Sequence, residues 1–182
     1  FRMGVNVLKP LKSSNPKIID YANSEMRSDF MDIYLGAKCF FLITTGCGFD
    51  AIPSIFKRPI ALTHVPLGLS QFTSSNKCLL LTKHHKNKLT KKELTISEIF
   101  SSNVAIAIDS AYFKNNNVEL EENTPEELRD FVIEMDERLT GKWKETSDDI
   151  FLQKKFWSIF KKNMNNLDPN HELFKKGDHK FN

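Results

Sequence analysis

Apolar residues along the chain form one strand-length run and several helix-spaced sets. Cys39-Phe40-Phe41-Leu42-Ile43 is continuous and apolar, the pattern of a strand covered on both faces in a parallel sheet. It ends in Thr44-Thr45-Gly46-Cys47-Gly48, and Asp50 to Phe56 then reads as a helix with Pro53 in its first turn, where a missing N–H costs least. Pro59 to Thr63 follows at once as a second strand. Strand, glycine turn, helix and strand make a βαβ unit with a right-handed crossover. Cys78 to Leu81 predicts a further strand, and a short one is expected near Ile18 and Ile19.

Helix starts are marked by caps. Ser28 is placed to cap a helix over Asp29 to Leu35, with Asp29 and Asp32 in its first turn and Phe30, Ile33 and Tyr34 expected to be buried. Thr95-Ile96-Ser97-Glu98 and Thr124-Pro125-Glu126-Glu127 both have capping-box spacing. The second box opens a helix with Leu128, Val132, Met135 and Leu139 on one face, closed by Gly141. Asp148 to Lys161 forms a last amphipathic helix using Phe151, Phe156, Trp157 and Phe160. Val65 to Asn76 reads as a loop, and the polar tail from Asn163 is expected to fray. The predicted fold class is α/β: a Rossmann-like three-layer domain with a mainly parallel sheet over 1–141, then a helical extension and tail over 142–182.

Composition narrows the function classes. The 182 residues fit one domain, and a 40% apolar share with 15 Phe supplies a core. The net charge of +3 arises from 26 basic and 23 acidic residues, a mixed surface from which no nucleic-acid partner is expected. Three cysteines without C-x-x-C spacing read as reduced thiols, which with the lack of an export signal predicts a cytoplasmic location. The chain opens on Phe1-Arg2-Met3-Gly4 and is expected to be part of something longer.

The glycine turn is the first candidate site. Gly46 and Gly48 allow close approach of a ligand, and the amides opening the next helix favour an anion such as a diphosphate, with the Thr44 and Thr45 hydroxyls adding contacts. Turn chemistry without a ligand explains the same residues and is favoured on the turn alone. Arg2 with Gly4, and Arg27-Ser28-Asp29, form a second set suited to bidentate phosphate recognition; surface pairing of Arg27 with Asp29 or Asp32 is the bland alternative. Lys83-His84-His85-Lys86 reads as a solvated loop before a metal or nucleic-acid site, and could also touch anionic lipid. Trp143 and the last aromatics read as core, and Glu119, Glu121 and Glu122 as a solvated acidic run in which a ribose acceptor is the alternative.

On Arg2-Met3-Gly4, Pro16 to Ala22, Arg27 to Leu35, Thr44 to Asp50 and Glu122 to Glu127, the chain resembles a family of bacterial glycosyltransferases linked to surface polysaccharide synthesis. More loosely it is similar to the carboxyl-terminal, donor-binding domain of the GT-B superfamily. The resemblance implies a nucleotide-sugar substrate, with the diphosphate near Thr45, Gly46 and Gly48 and phosphate or ribose contacts from Arg2, Arg27 or Asp29. It also implies a glycan or lipid-linked acceptor, a peripheral contact with the inner membrane face, and neither metal nor cofactor, in keeping with the missing Asp-x-Asp motif. The amino-terminal domain that binds acceptor in such enzymes lies outside the chain, so no catalytic residue is assigned. A nucleotide-sugar epimerase of GT-B fold and a non-catalytic basic interaction module are the rival expectations.

Overall fold

β1 (Leu42–Thr44), β2 (Ile60–Val65) and β3 (Cys78–Thr82) form a parallel sheet in the order β1-β2-β3. Leu42 lies opposite Ile60 and Thr44 opposite Leu62, while Leu62 in turn faces Leu80. The computed structural model that gives this architecture describes residues 1–68, 77–102, 104–107 and 109–164. Between β1 and β2 the chain makes a 3₁₀ turn over Gly48–Asp50 and the short helix α2 (Ala51–Ile55), which buries Pro53, so the βαβ order read from the sequence is present. The strand buried on both faces, however, is β2. Its Ile60 and Leu62 pack with Leu42, Cys78 and Leu80, and its Ala61 packs with Phe131 and Met135. β1 is the edge strand, shorter than the apolar run, and leaves Ile43 exposed. An apolar run carries no mark of which strand will gain two neighbours.

Two sequence expectations at the amino terminus are corrected. Ile18 and Ile19 form no strand; a 3₁₀ turn over Tyr21–Asn23 follows, held by backbone bonds from Arg2 N–H to Ile19 C=O and from Ala22 N–H to Arg2 C=O, both 2.9 Å. These two bonds take up groups that a ladder would need. α1 (Asp29–Lys38) is capped as expected, the Ser28 hydroxyl accepting from Met31 N–H at 3.3 Å. It packs through Gly36, where an added Cβ would lie 2.7 Å from Ile52 Cγ2. Phe30, Ile33 and Tyr34 are therefore exposed, the rings of Phe30 and Tyr34 stacking on each other.

Part of the expected loop at Lys83–Lys92, its residues His84–Asn87, is a strand. β4 (His84–Asn87) pairs antiparallel with β5 (Val118–Glu121), His85 opposite Leu120. The acidic run is not merely solvated either: Lys86 pairs with Glu121, Lys91 with Glu119 at 2.6 Å and Lys83 with Glu122 at 2.5 Å. Alternating Lys and Glu across two strands places opposite charges side by side.

α3 (Ile96–Ser101) and α5 (Pro125–Thr140) open on the predicted capping boxes, and Gly141 closes α5 with φ of 73°, a left-handed conformation that favours glycine. α4 (Ser110–Asn115), absent from the sequence reading, is capped by Asp109. α5 buries Phe131 and Met135 against Ala61, with Val132 and Leu139 beside them. α6 (Ser147–Met164) adds Phe160 to a second core made by Leu67, Ile99, Phe100, Val104, Ala105 and Val118. Phe156 packs at the margin of that core, whereas Phe151 and Trp157 are exposed, so only half of the expected aromatic face is covered. Trp143 is half-buried under the Arg138 guanidinium, 4.9 Å from the ring centre. Residues 69–76 of the expected loop and the tail from 165 lie outside the described residues. Among the described residues no helix is long and apolar enough to cross a membrane.

Candidate functional site

The glycine turn at the end of β1 is closed by its own carboxylate. The Thr44 hydroxyl donates to Asp50 Oδ1 at 2.6 Å and accepts from Gly46 N–H at 3.2 Å, while Cys47 N–H donates to Asp50 Oδ2 at 2.9 Å. The Cys47 thiol lies 3.6 Å from Asp50 Oδ1. Gly46 is needed for its φ of 81°. Gly48 meets nothing within 4 Å of an added Cβ, so it leaves the outer face of the turn bare. The start of the following helix thus holds an anion, and that anion is Asp50. Replacing Asp50 with alanine leaves the Thr44 hydroxyl and Cys47 N–H without their acceptor. Thermal melting is expected to register a loss of about 1–2 kcal/mol, with less for Asp50→Asn, which keeps one acceptor oxygen.

Along β1 runs a cleft of about 1100 Å³, walled by residues 1–6, by Asp32, Leu35 and Gly36 of α1, and by the turn. It brings together Arg2, Gly4, Thr44, Thr45 and Gly48 from the two sequence-predicted sets. Arg2 is already engaged: its Nε and Nη2 donate to the two Asp20 oxygens at 2.8 and 2.7 Å, and its Nη1 to Lys9 C=O at 2.9 Å. The Asp20 carboxyl is held below its usual range by a hydrogen bond from Asn23, helped by Leu11 N–H and Arg2. Arg27 lies 3.7 Å from Asp32, which is the bland pairing. Ser28 caps α1 and exchanges backbone bonds with the buried Tyr21 hydroxyl, at 3.2 Å from its N–H and 3.3 Å to its C=O. Asp29 is exposed in the first turn of α1.

A second group stands at the carboxyl ends of the neighbouring strands. The β2–β3 register breaks between Thr63 and Val65, and the residue in the break, His64, has φ of 59°. A left-handed conformation costs a residue with a Cβ about 1–2 kcal/mol. His64 Nε2 lies 3.2 Å from Glu122 Oε2 and its Nδ1 3.2 Å from the Thr63 hydroxyl. Lys83 Nζ reaches the other oxygen of the same carboxylate, Oε1, at 2.5 Å, and that hydrogen bond holds the Glu122 carboxyl below its usual range. The adjoining Asn123 is only 6% exposed; its Nδ2 donates to Thr82 C=O at 2.8 Å, and its Oδ1 has no partner among the described residues. Sequence reasoning missed this group because 39 residues separate Lys83 from Glu122 and no glycine marks the turn of the backbone at His64.

No family model matches the chain, and neither does any curated protein or solved structure. Function is therefore argued from the geometry. Among the described residues, no group of three or more His, Cys, Asp or Glu is placed to hold a metal ion. The two adjacent histidines of β4 have separate partners. His84 Nδ1 lies 2.7 Å from Glu93 and its Nε2 3.0 Å from Glu127, and these hydrogen bonds raise its pKa. His85 is buried, with Nδ1 on Lys83 C=O at 2.9 Å and Nε2 accepting from Leu67 N–H at 3.2 Å. Its roles are those of a neutral, structural imidazole, and burial lowers its pKa.

Proposed function

We propose that the chain is the donor-binding part of a glycosyltransferase, with a Rossmann-like arrangement in which a nucleotide-sugar lies at the carboxyl edge of the sheet. The observation that carries the reading is the cleft of about 1100 Å³ joining the amino-terminal segment, α1 and the glycine turn at the end of β1. In open parallel sheets ligands bind outside the carboxyl ends of the strands. The volume lies slightly above the roughly 300–1,000 Å³ typical of ligand pockets. Leu35, Phe41 and Phe49 offer apolar wall for a base, and Thr45 offers a hydroxyl.

A second reading draws on the His64–Glu122 contact, an acid–base pair at the same edge. It is the kind of pair that a nucleotide-sugar epimerase uses for proton transfer. An epimerase converts UDP-GlcNAc without any acceptor, which incubation and product analysis would reveal. The basic-module reading is disfavoured, because Lys83, Lys86 and Lys91 are each paired with a glutamate.

Titration with UDP, GDP and ADP by calorimetry tests the main reading. Binding of one nucleotide with Kd of about 0.1–1 mM is expected, a free energy of roughly −4 to −5.5 kcal/mol. Silence with all three would sink it.

A further inference from the structure

The Glu122 carboxylate is an exposed anion met by two half-buried nitrogen groups. Lys83 and His64 side chains are 21% and 24% exposed, against 59% for Glu122, and each addresses a different oxygen of the one carboxylate. Both are positioned by the sheet. Lys83 follows β3, its backbone N–H bonded to Val65 C=O at 2.8 Å, and His64 projects from the break in β2 in a strained conformation. Strain of this kind persists where surrounding structure imposes it and collects at functional positions. Asn123, next to Glu122 in the chain, has a buried Oδ1 with no donor among the described residues. Register places the group next to the glycine turn, since Thr44 is opposite Leu62 and His64 is two residues further along the same strand. Within the turn itself, Asp50 already holds the Cys47 N–H and Thr44 hydroxyl.

We propose that Lys83 and His64 form an oxyanion subsite for a phosphate or diphosphate group, and that Glu122 occupies it as a displaceable stand-in when no ligand is bound. When Glu122 swings out, two donors face the ligand with the spacing of two oxygens on one centre. The inference rests on the nucleotide reading only for the larger ligand; the phosphate chemistry follows from the side chains themselves.

The test uses calorimetry with sodium pyrophosphate, UDP and uridine on the whole chain, together with the His64 imidazole signals in NMR. Glu122→Gln removes the competing charge and keeps the shape, and its side chain is exposed enough to leave the fold intact. It is expected to tighten pyrophosphate binding roughly two- to fivefold, the worth of the one partly exposed ion pair with Lys83. Lys83→Met with His64→Gln is expected to abolish it, and pyrophosphate should shift the His64 signals in the parent chain. If pyrophosphate tightens with Glu122→Gln but UDP never binds, the subsite stands and the nucleotide reading falls. If UDP binds with equal affinity to the parent, Glu122→Gln and the double variant, the nucleotide reading stands and the subsite is overturned. Uridine, which has no phosphate, should be indifferent to all three; a uridine response to Glu122→Gln would also overturn the assignment.

Discussion

Phe100→Ala is expected to destabilise the protein by about 3–5 kcal/mol, the range for truncating a buried phenylalanine. Phe100 is 2% exposed and meets Phe160 edge to face, with ring centres 5.2 Å apart and planes at 90°. One residue comes from α3 and the other from α6, so the pair is where the last helix is fastened to the body of the chain. Folded domains hold only about 5–15 kcal/mol in total, so the loss is about a fifth of the stability or more. Urea unfolding measures it as a shift in midpoint. Phe151→Ala on the exposed side of α6 is the control, expected to cost less than about 1 kcal/mol. Phe160→Ala should cost nearly as much as Phe100→Ala, and the double variant less than the sum, because both changes empty the same contact. A Phe100→Ala loss no larger than that of Phe151→Ala would contradict the packing of α6 on α3.

The parts of the fold that could be read from the chain are those whose causes are local. Thr95 with Glu98, and Thr124 with Glu127, close their capping boxes within three residues, and Gly141 supplies a left-handed stop in one. The order β1, turn, α2, β2 is likewise contained in about 25 consecutive residues, shorter than the roughly 30 or more of a usual βαβ unit. What escaped depends on distant partners. Lys83 to Lys92 has the composition of a solvated loop until Glu119, Glu121 and Glu122 are brought alongside it. Phe30, Ile33 and Tyr34 have a buried pattern, yet Gly36 decides the packing face because it alone lets Ile52 come close.

The same distinction divides the site. The glycine turn reads in the sequence as a place for a diphosphate, with Asp50 among the binding residues; in the structure Asp50 accepts from the Thr44 hydroxyl and Cys47 N–H of the turn itself. Arg2 and Gly4 do reach the cleft beside Thr44 and Gly48, although Arg2 is committed to Asp20 by a two-pronged contact. His64, Lys83, Glu122 and Asn123 come from three separate segments and carry no common motif. Only the register of β2 against β3 and the end of β5 assembles them.

The adjacent histidines of β4 are expected to give the protein two opposed pH dependences. His85 titrates below 6.5 in the folded state, chiefly because it is buried, so the unfolded chain takes up this proton more readily than the folded one. Its contribution is present above pH 6.5 and is lost as pH falls below that value. Protonation would also place a proton on Nε2, where the ring now accepts from Leu67 N–H. His84 behaves in reverse: hydrogen bonds to Glu93 and Glu127 raise its folded pKa above 6.5, so its contribution is complete below 6.5 and disappears as pH rises through the raised value. In the parent chain the two losses lie on opposite sides of pH 6.5, that of His85 below it and that of His84 above it. Glu93 and Glu127 hydrogen-bond His84 and not His85, so Gln at 84 removes the alkaline loss and leaves the hydrogen bonds of His85 in place. Urea unfolding of His84→Gln between pH 5.5 and 8.5 should keep the acid loss of the parent, within the limit of about 1.4 kcal/mol per pH unit for one proton, and show no alkaline decline from this site. His85→Asn should show the converse, with stability falling on the alkaline side only. An alkaline decline as steep in His84→Gln as in the parent would mean that the Glu93 and Glu127 contacts contribute nothing to folding.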